Sequence, residues 1–253
     1  SDDAVAGLIR EDGIDILVDL SGHTLGNRLL VFARKPAPVQ VTYLGYGTTT
    51  GLSAMDYRLT DQYLSPSDSR EWCSEELIRL PGCFSCYRPS AEAPAVAPLP
   101  ASTTGHVTFG SFSNLAKVSP VVVGVWAEIL RAVPQARLIL KDAAFADTGQ
   151  VVRDRGLFAK DDVSVDRLEF IPKTATHAEH LALYSRVDIG LDSFPYNGCT
   201  TTCDALWMGV PIVTLAGSMS FGRYGVSLLS NLGVHDLIAT TPEAYVEKAV
   251  ELA

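Results

Sequence analysis

No apolar run in the 253 residues approaches 18 in length, so the sequence shows no helix able to cross a membrane. Basic residues are not in surplus: 20 Lys and Arg against 29 Asp and Glu leave a net charge of −9. That balance argues against a broad surface for nucleic acid or an anionic membrane, though it allows one local anion site. Several signatures are missing. Without G-x-G-x-x-G or G-x-x-x-x-G-K-[ST], nicotinamide and P-loop readings are poor, and without G-x-S-x-G there is no hydrolase elbow. The first residues, Ser-Asp-Asp-Ala, carry neither the basic region nor the apolar core of a secretory signal. Cysteines are few: Cys73, Cys83, Cys86, Cys199 and Cys203. Cys83 and Cys86 have the spacing of a zinc or redox pair, but no second pair or histidine stands at ligand spacing. No metal or cofactor is therefore expected, and the thiols are expected to be reduced in a cytoplasmic protein.

What remains is globular. The chain is 47% apolar and 19% charged, and it is long enough for two lobes. Strand-like runs at 14–19, 39–43, 57–60 and 76–80 come first, with a helix near 28–34. Residues 88–104, rich in Pro, Ala and Ser, read as a linker. Beyond it, strands at 107–112, 137–140, 168–171, 187–191 and 211–215 alternate with helices at 120–132, 148–157, 178–184, from Thr200, 223–229 and 242–252. This alternation predicts α/β lobes with parallel sheets. Ligands of such sheets bind at the carboxyl ends of the strands, which predicts that the loops after Phe112, Ile171, Leu191 and Leu215 lie together. The expected division is 1–88, linker 89–104, and 105–253. Both ends read as cut within helices, as expected of a piece of a larger protein.

The segment from Val187 to Thr214 is the most informative. A buried strand leads into a break at Pro195, Asn197 and Gly198, and Thr200, Thr201 and Thr202 then open a helix that Gly209 and Pro211 end. A helix start after a glycine offers free N–H groups and a partial positive dipole, which suit a diphosphate. Asp204, about one turn in, is placed to accept hydrogen bonds from a ribose. The alternative is that the threonines cap the helix and Asp204 complements its dipole. Lys117 stands at another strand's carboxyl end, before a helix opened by Ser119 and Pro120, where a cation neutralises phosphate oxygens. His180, His177, His23 and Arg223 are further candidates, each equally readable as an ordinary surface or capping residue.

On these residues the chain resembles the catalytic region of the O-linked N-acetylglucosamine transferases, glycosyltransferase family 41. The resemblance runs in order through Asp-Ile-Leu-Val-Asp-Leu-Ser-Gly-His-Thr24, Arg34-Lys-Pro-Ala-Pro-Val-Gln40, Tyr43-Leu-Gly-Tyr46, Phe112-Ser-Asn-Leu-Ala-Lys117, Trp126-Ala-Glu-Ile-Leu-Arg-Ala-Val-Pro134 and Asn197-Gly-Cys-Thr-Thr-Thr-Cys-Asp204. It implies a GT-B fold of two Rossmann-like lobes, the first incomplete here. It also implies inverting, metal-independent transfer of N-acetylglucosamine from UDP-GlcNAc to Ser or Thr hydroxyls of intracellular proteins. Lys117 would stabilise the UDP leaving group and Asn114 would contact phosphate. His180 would pack on uracil. Thr200 and Thr201 would hold the diphosphate, with Gly198 and Cys199 beside them in the nucleotide-sugar site, and Asp204 the ribose, while Leu44 and Gly45 would line the sugar. The resemblance places the base residues and tetratricopeptide repeats upstream of residue 1 and implies that this piece alone is inactive or feeble. Two positions depart from the pattern: Cys199 replaces the histidine of animal members, and Gly45-Tyr46-Gly47-Thr48 replaces Gly-Tyr-Pro-Gly. Alternatives are a degenerate member that binds nucleotide-sugar or protein partners without transfer, and a transferase for fucose or glucose.

Overall fold

A computed structural model describes residues 1–253. The chain divides into two compact units: Ser1–Cys86 with Ser218–Arg223, and Tyr87–Gly217 with Tyr224–Ala253. The Pro-rich stretch 89–104 falls within the second of these units.

In the first unit α1 (Asp2–Glu11) precedes β1 (Ile16–Asp19), α2 (Leu29–Phe32), β2 (Val39–Thr42), β3 (Tyr57–Asp61) and β4 (Glu76–Leu80). The four strands pair in parallel in the order β1-β2-β3-β4. The run 14–19 predicts a strand, and β1 stands there as the first of the four, with Asp19 its buried residue. The Asp19 carboxylate accepts the Gly22 N–H at 2.9 Å and the Thr42 hydroxyl at 2.7 Å, tying the loop after β1 to β2. That loop meets the one after β2 so closely that a Cβ on Gly45 would stand 2.1 Å from the Leu20 carbonyl oxygen. Leu44, beside it, has left-handed backbone at φ 64°. Glu75 anchors the rest of this loop, accepting from the Thr49 hydroxyl at 2.7 Å and the Thr50 N–H at 2.6 Å. Residues 218–223 join this unit through Ser220, whose N–H donates to Glu71 at 3.0 Å, and through Arg223, whose Nε donates to the Tyr63 carbonyl at 2.8 Å.

The second unit holds α3 (Ala101–Thr104), β5 (Thr108–Ser111), α4 (Pro120–Ala132), β6 (Arg137–Lys141), α5 (Thr148–Lys160), β7 (Leu168–Ile171), α6 (His177–Ala182), β8 (Ile189–Leu191), α7 (Thr200–Trp207), β9 (Ile212–Leu215), α8 (Tyr224–Asn231), β10 (Ile238–Ala239) and α9 (Pro242–Glu251). All neighbouring strands are parallel, in the order β10-β9-β8-β5-β6-β7. Ser119 caps α4 by accepting the Val122 N–H at 3.4 Å, with Pro120 at the first helical position, as its sequence signals. Trp126, Ile129 and Leu130 bury fully against Phe109, Leu138 and Tyr245 in the main core. The chain runs outward from β5 through β6 to β7, then returns to place β8 on the other side of β5. The β5–β8 boundary is the switch point of the sheet, where two loops part and leave a crevice.

Candidate functional site

The loops after β5, β8 and β9 leave adjacent strands at that crevice. The loop after β7 does not, because β6 stands between β7 and β5. It reaches the same region only because α6 folds back, bringing the His180 ring centroid to 5.7 Å from that of Phe112.

The loop after β8 runs from Asp192 to Cys199 and includes a cis Phe194–Pro195 peptide. Asp192 is buried, and its carboxylate accepts the Gly198 N–H and the Thr214 hydroxyl, both at 2.7 Å. Gly198 is required by crowding: a Cβ there would lie 2.7 Å from the hydroxyl oxygens of both Thr201 and Thr202. The helix cap is Cys199, whose side chain makes no capping hydrogen bond. The threonines are therefore first-turn residues and not the cap, and the N–H groups of that turn carry no side-chain partner. Thr200 is exposed, Thr201 half-buried and Thr202 buried, so two of the three hydroxyls flank the open helix end.

Lys117 ends the short 3-10 turn Leu115–Lys117 after β5. Its Nζ donates to the Asn197 carbonyl at 2.8 Å and lies 4.2 Å above the centre of the Tyr196 ring. Burial lowers its pKa, and the Asp192 carboxylate counters that. Asn114 is exposed and caps the same turn, its Oδ1 accepting the Ala116 N–H at 2.9 Å, which leaves its amide N–H₂ for a ligand.

His180 and Asp204 come together, with Nε2 3.6 Å from Oδ2. Both are more enclosed than their expected ligand roles suggest. Asp204 is 2% exposed and already accepts the Tyr87 hydroxyl at 2.7 Å. His180 has His177 stacked 5.6 Å away and the Tyr184 ring edge-on at 5.6 Å. Its Nδ1 is buried without a hydrogen-bond partner. Leu44 and Gly45 belong to the first unit. So do His23, whose Nε2 bonds the Thr50 carbonyl at 3.0 Å, and Arg223, which anchors its own segment. A cavity of about 540 Å³ opens at the amino ends of β5–β7, beside Pro98, Arg137 and Arg186. It contains none of the predicted residues, and it lies at the end of the sheet opposite to the switch-point loops.

Sequence reasoning passed over Asp192 and Tyr87, and read Asn197 only as part of the break before α7. Asp192 follows an apolar strand directly and precedes a glycine-containing break, a signal equal to the one that drew attention to Lys117. Tyr87 meets Asp204 across 117 positions, with no local signal.

Comparison with known proteins agrees with this architecture. The model of glycosyl transferase family 41 matches residues 1–87 and 99–253. The chain belongs to that family. It is 49% identical over 251 residues to the probable UDP-N-acetylglucosamine–peptide N-acetylglucosaminyltransferase SPINDLY of Arabidopsis thaliana, covering 98% of this chain and 27% of that protein. The corresponding figures for the SEC transferase of the same plant are 36% over 262 residues, 100% and 26%. A solved structure of a mutant O-GlcNAc transferase from Thermobaculum terrenum superposes with a TM-score of 0.95 at 42% identity, covering 100% of this chain and 48% of that one. A trehalose-phosphate synthase from Burkholderia xenovorans, at TM-score 0.57 and 11% identity, covers 100% of this chain and 68% of its own, and shares the fold alone. The fold is of the GT-B type. The chain spans about a quarter of the length of these plant relatives.

Proposed function

We propose that this chain carries the donor-binding part of a protein O-GlcNAc transferase, which moves N-acetylglucosamine from UDP-GlcNAc to Ser or Thr hydroxyls of proteins. The observation that carries the reading is the pairing of the half-buried Lys117 ammonium with the uncapped first turn of α7 at the switch point. A leaving UDP gains negative charge as the sugar bond breaks. A fixed cation and aligned N–H groups stabilise that charge without having to reorganise. Gly198, Cys199, Thr200 and Thr201 would hold the diphosphate, Asn114 would contribute its amide, and His180 and Asp204 would contact the nucleoside once the Tyr87 hydroxyl yields one carboxylate oxygen. Inversion and independence from a metal follow the family resemblance. Tetratricopeptide repeats and a cytoplasmic setting belong to the same reading.

Binding without transfer is the second reading, favoured by the two departures from the family pattern, Cys199 and the Gly45-Tyr46-Gly47-Thr48 loop. Transfer assays on the full-length protein separate the two. Lys117→Ala is expected to lower kcat by about 10²–10³-fold, in line with loss of one such stabilising group, while calorimetry still detects UDP. Full activity in the variant would remove Lys117 from the mechanism, and no transfer by the unaltered protein would favour the binding module. Titration with UDP-GlcNAc beside GDP-fucose identifies the sugar.

A further inference from the structure

Asp192 takes no direct part in the chemistry above, yet it is hydrogen-bonded to the turn that opens α7, to β9 and to α9. One carboxylate oxygen accepts the Gly198 N–H and the other the Thr214 hydroxyl. Its own carbonyl oxygen accepts the Tyr245 hydroxyl at 2.9 Å, and its N–H donates to the Val213 carbonyl at 3.0 Å. Asn197, which receives the Lys117 ammonium, is the neighbour of Gly198 in the chain. Asp192 is only 3% exposed, and a buried carboxylate left without compensation is costly.

We propose that Asp192 is a positioning residue: its carboxylate and the Lys117 ammonium hold opposite ends of the Asn197–Gly198 peptide, so that its buried negative charge, joined to Lys117 through that peptide, keeps the cation charged before a donor arrives and fixes the Gly198 turn the donor's phosphates meet. This role deepens the donor-site reading and depends on it for its functional consequence. The electrostatics agree in both directions. Burial raises Asp192 to about 6, with the Gly198 N–H, the Thr214 hydroxyl and the Lys117 charge each pulling it down. Burial lowers Lys117 and Asp192 raises it. The other groups facing the pair do not supply a second cation. The Tyr245 phenol on α9 bonds backbone and is held well above its usual range by burial. The Cys199 thiol faces Lys117 from the α7 cap, the Tyr196 ring lies beneath the ammonium, and the Tyr224 ring stands beside Tyr196 at 6.1 Å.

The test is a double-mutant cycle. Thermal unfolding of the full chain is measured for the unaltered protein, Lys117→Met, Asp192→Asn and the double variant, at about pH 5 and about pH 8. Asparagine can still accept from Gly198 and face Thr214, so Asp192→Asn removes charge and little else. At the lower pH Asp192 is largely neutral in every protein that has it, so the cycle should show little coupling. At the higher pH the lysine-free protein holds an uncompensated buried carboxylate. Its Tm deficit should grow at least about two-fold, and Asp192→Asn should abolish that growth. A purely structural Asp192 would give the same coupling at both pH values, and that result would overturn the proposal. Should Asp192→Asn fail to fold, the pH-dependence of the Lys117→Met deficit alone decides: growth with pH supports the pair, and a constant deficit overturns it. A parallel titration of the unaltered protein with UDP-GlcNAc keeps the two readings apart, because absent donor binding would sink the donor site and leave the charge-coupling result standing.

Discussion

Glu75 shows how a single residue can hold a loop by its charge. Burial would raise its pKa, but hydrogen bonds from Cys73, Thr50 and Thr49 outweigh that and hold it at about 2. Its folded value lies below its unfolded one. The stabilisation it gives is therefore complete above about pH 4.5 and is lost as pH falls toward 2. Glu75→Gln should unfold at a lower temperature than the unaltered protein at pH 7, and the difference should shrink between about pH 4.5 and 2. A difference that stays constant over that range would mean the carboxylate charge does not stabilise the loop. Cys73, the thiol facing it, is pushed up to about 11 by burial and by the hydrogen bond to Glu75, which suits a structural donor and not a nucleophile.

Among the elements, α7 is the most constrained at its start. Its first turn is fixed by a carboxylate from the preceding loop and by the absence of a side chain at Gly198. Gly198→Ala would drive a methyl group within 2.7 Å of two threonine oxygens and 3.3 Å of an Asp192 oxygen. The expected cost is about 1–3 kcal/mol of stability, read by denaturant unfolding, together with a marked loss of UDP affinity in calorimetry. A stable variant with unaltered affinity would show that the turn can move without harm to the site. The strands and helices themselves were largely legible. The signals at Ser119, Pro120 and Gly209 and the apolar runs mark α4, β5, β7 and α7 within a few residues, because capping and strand burial are local effects. The order of those strands in the sheet was not legible, because pairing joins residues distant in the chain.

At the scale of the second unit, the core reaches the site through a chain of hydrogen bonds. The Trp126 indole N–H donates to the Tyr245 hydroxyl at 3.3 Å, and that hydroxyl donates to the Asp192 carbonyl at 2.9 Å. Tyr245→Phe leaves both partners buried without their bond. A loss of about 1–3 kcal/mol is expected, and weaker UDP binding should accompany it, as thermal unfolding and calorimetry would show. Unchanged binding in a destabilised variant would confine the link to the core.

The amino-acid sequence by itself determined the alternation of strands and helices, the family, and the residues at the carboxyl ends of β5 and β8, because periodicity, caps and breaks act over a few neighbours. Only the tertiary structure decided strand order, and with it which loops share the crevice. It also set the cap on Cys199, the enclosure of Asp204 by Tyr87, and the joining of Asp192 to Lys117 through the Asn197–Gly198 peptide. Each of these depends on groups distant in the chain meeting out of water, where an unpaired charge or donor is costly.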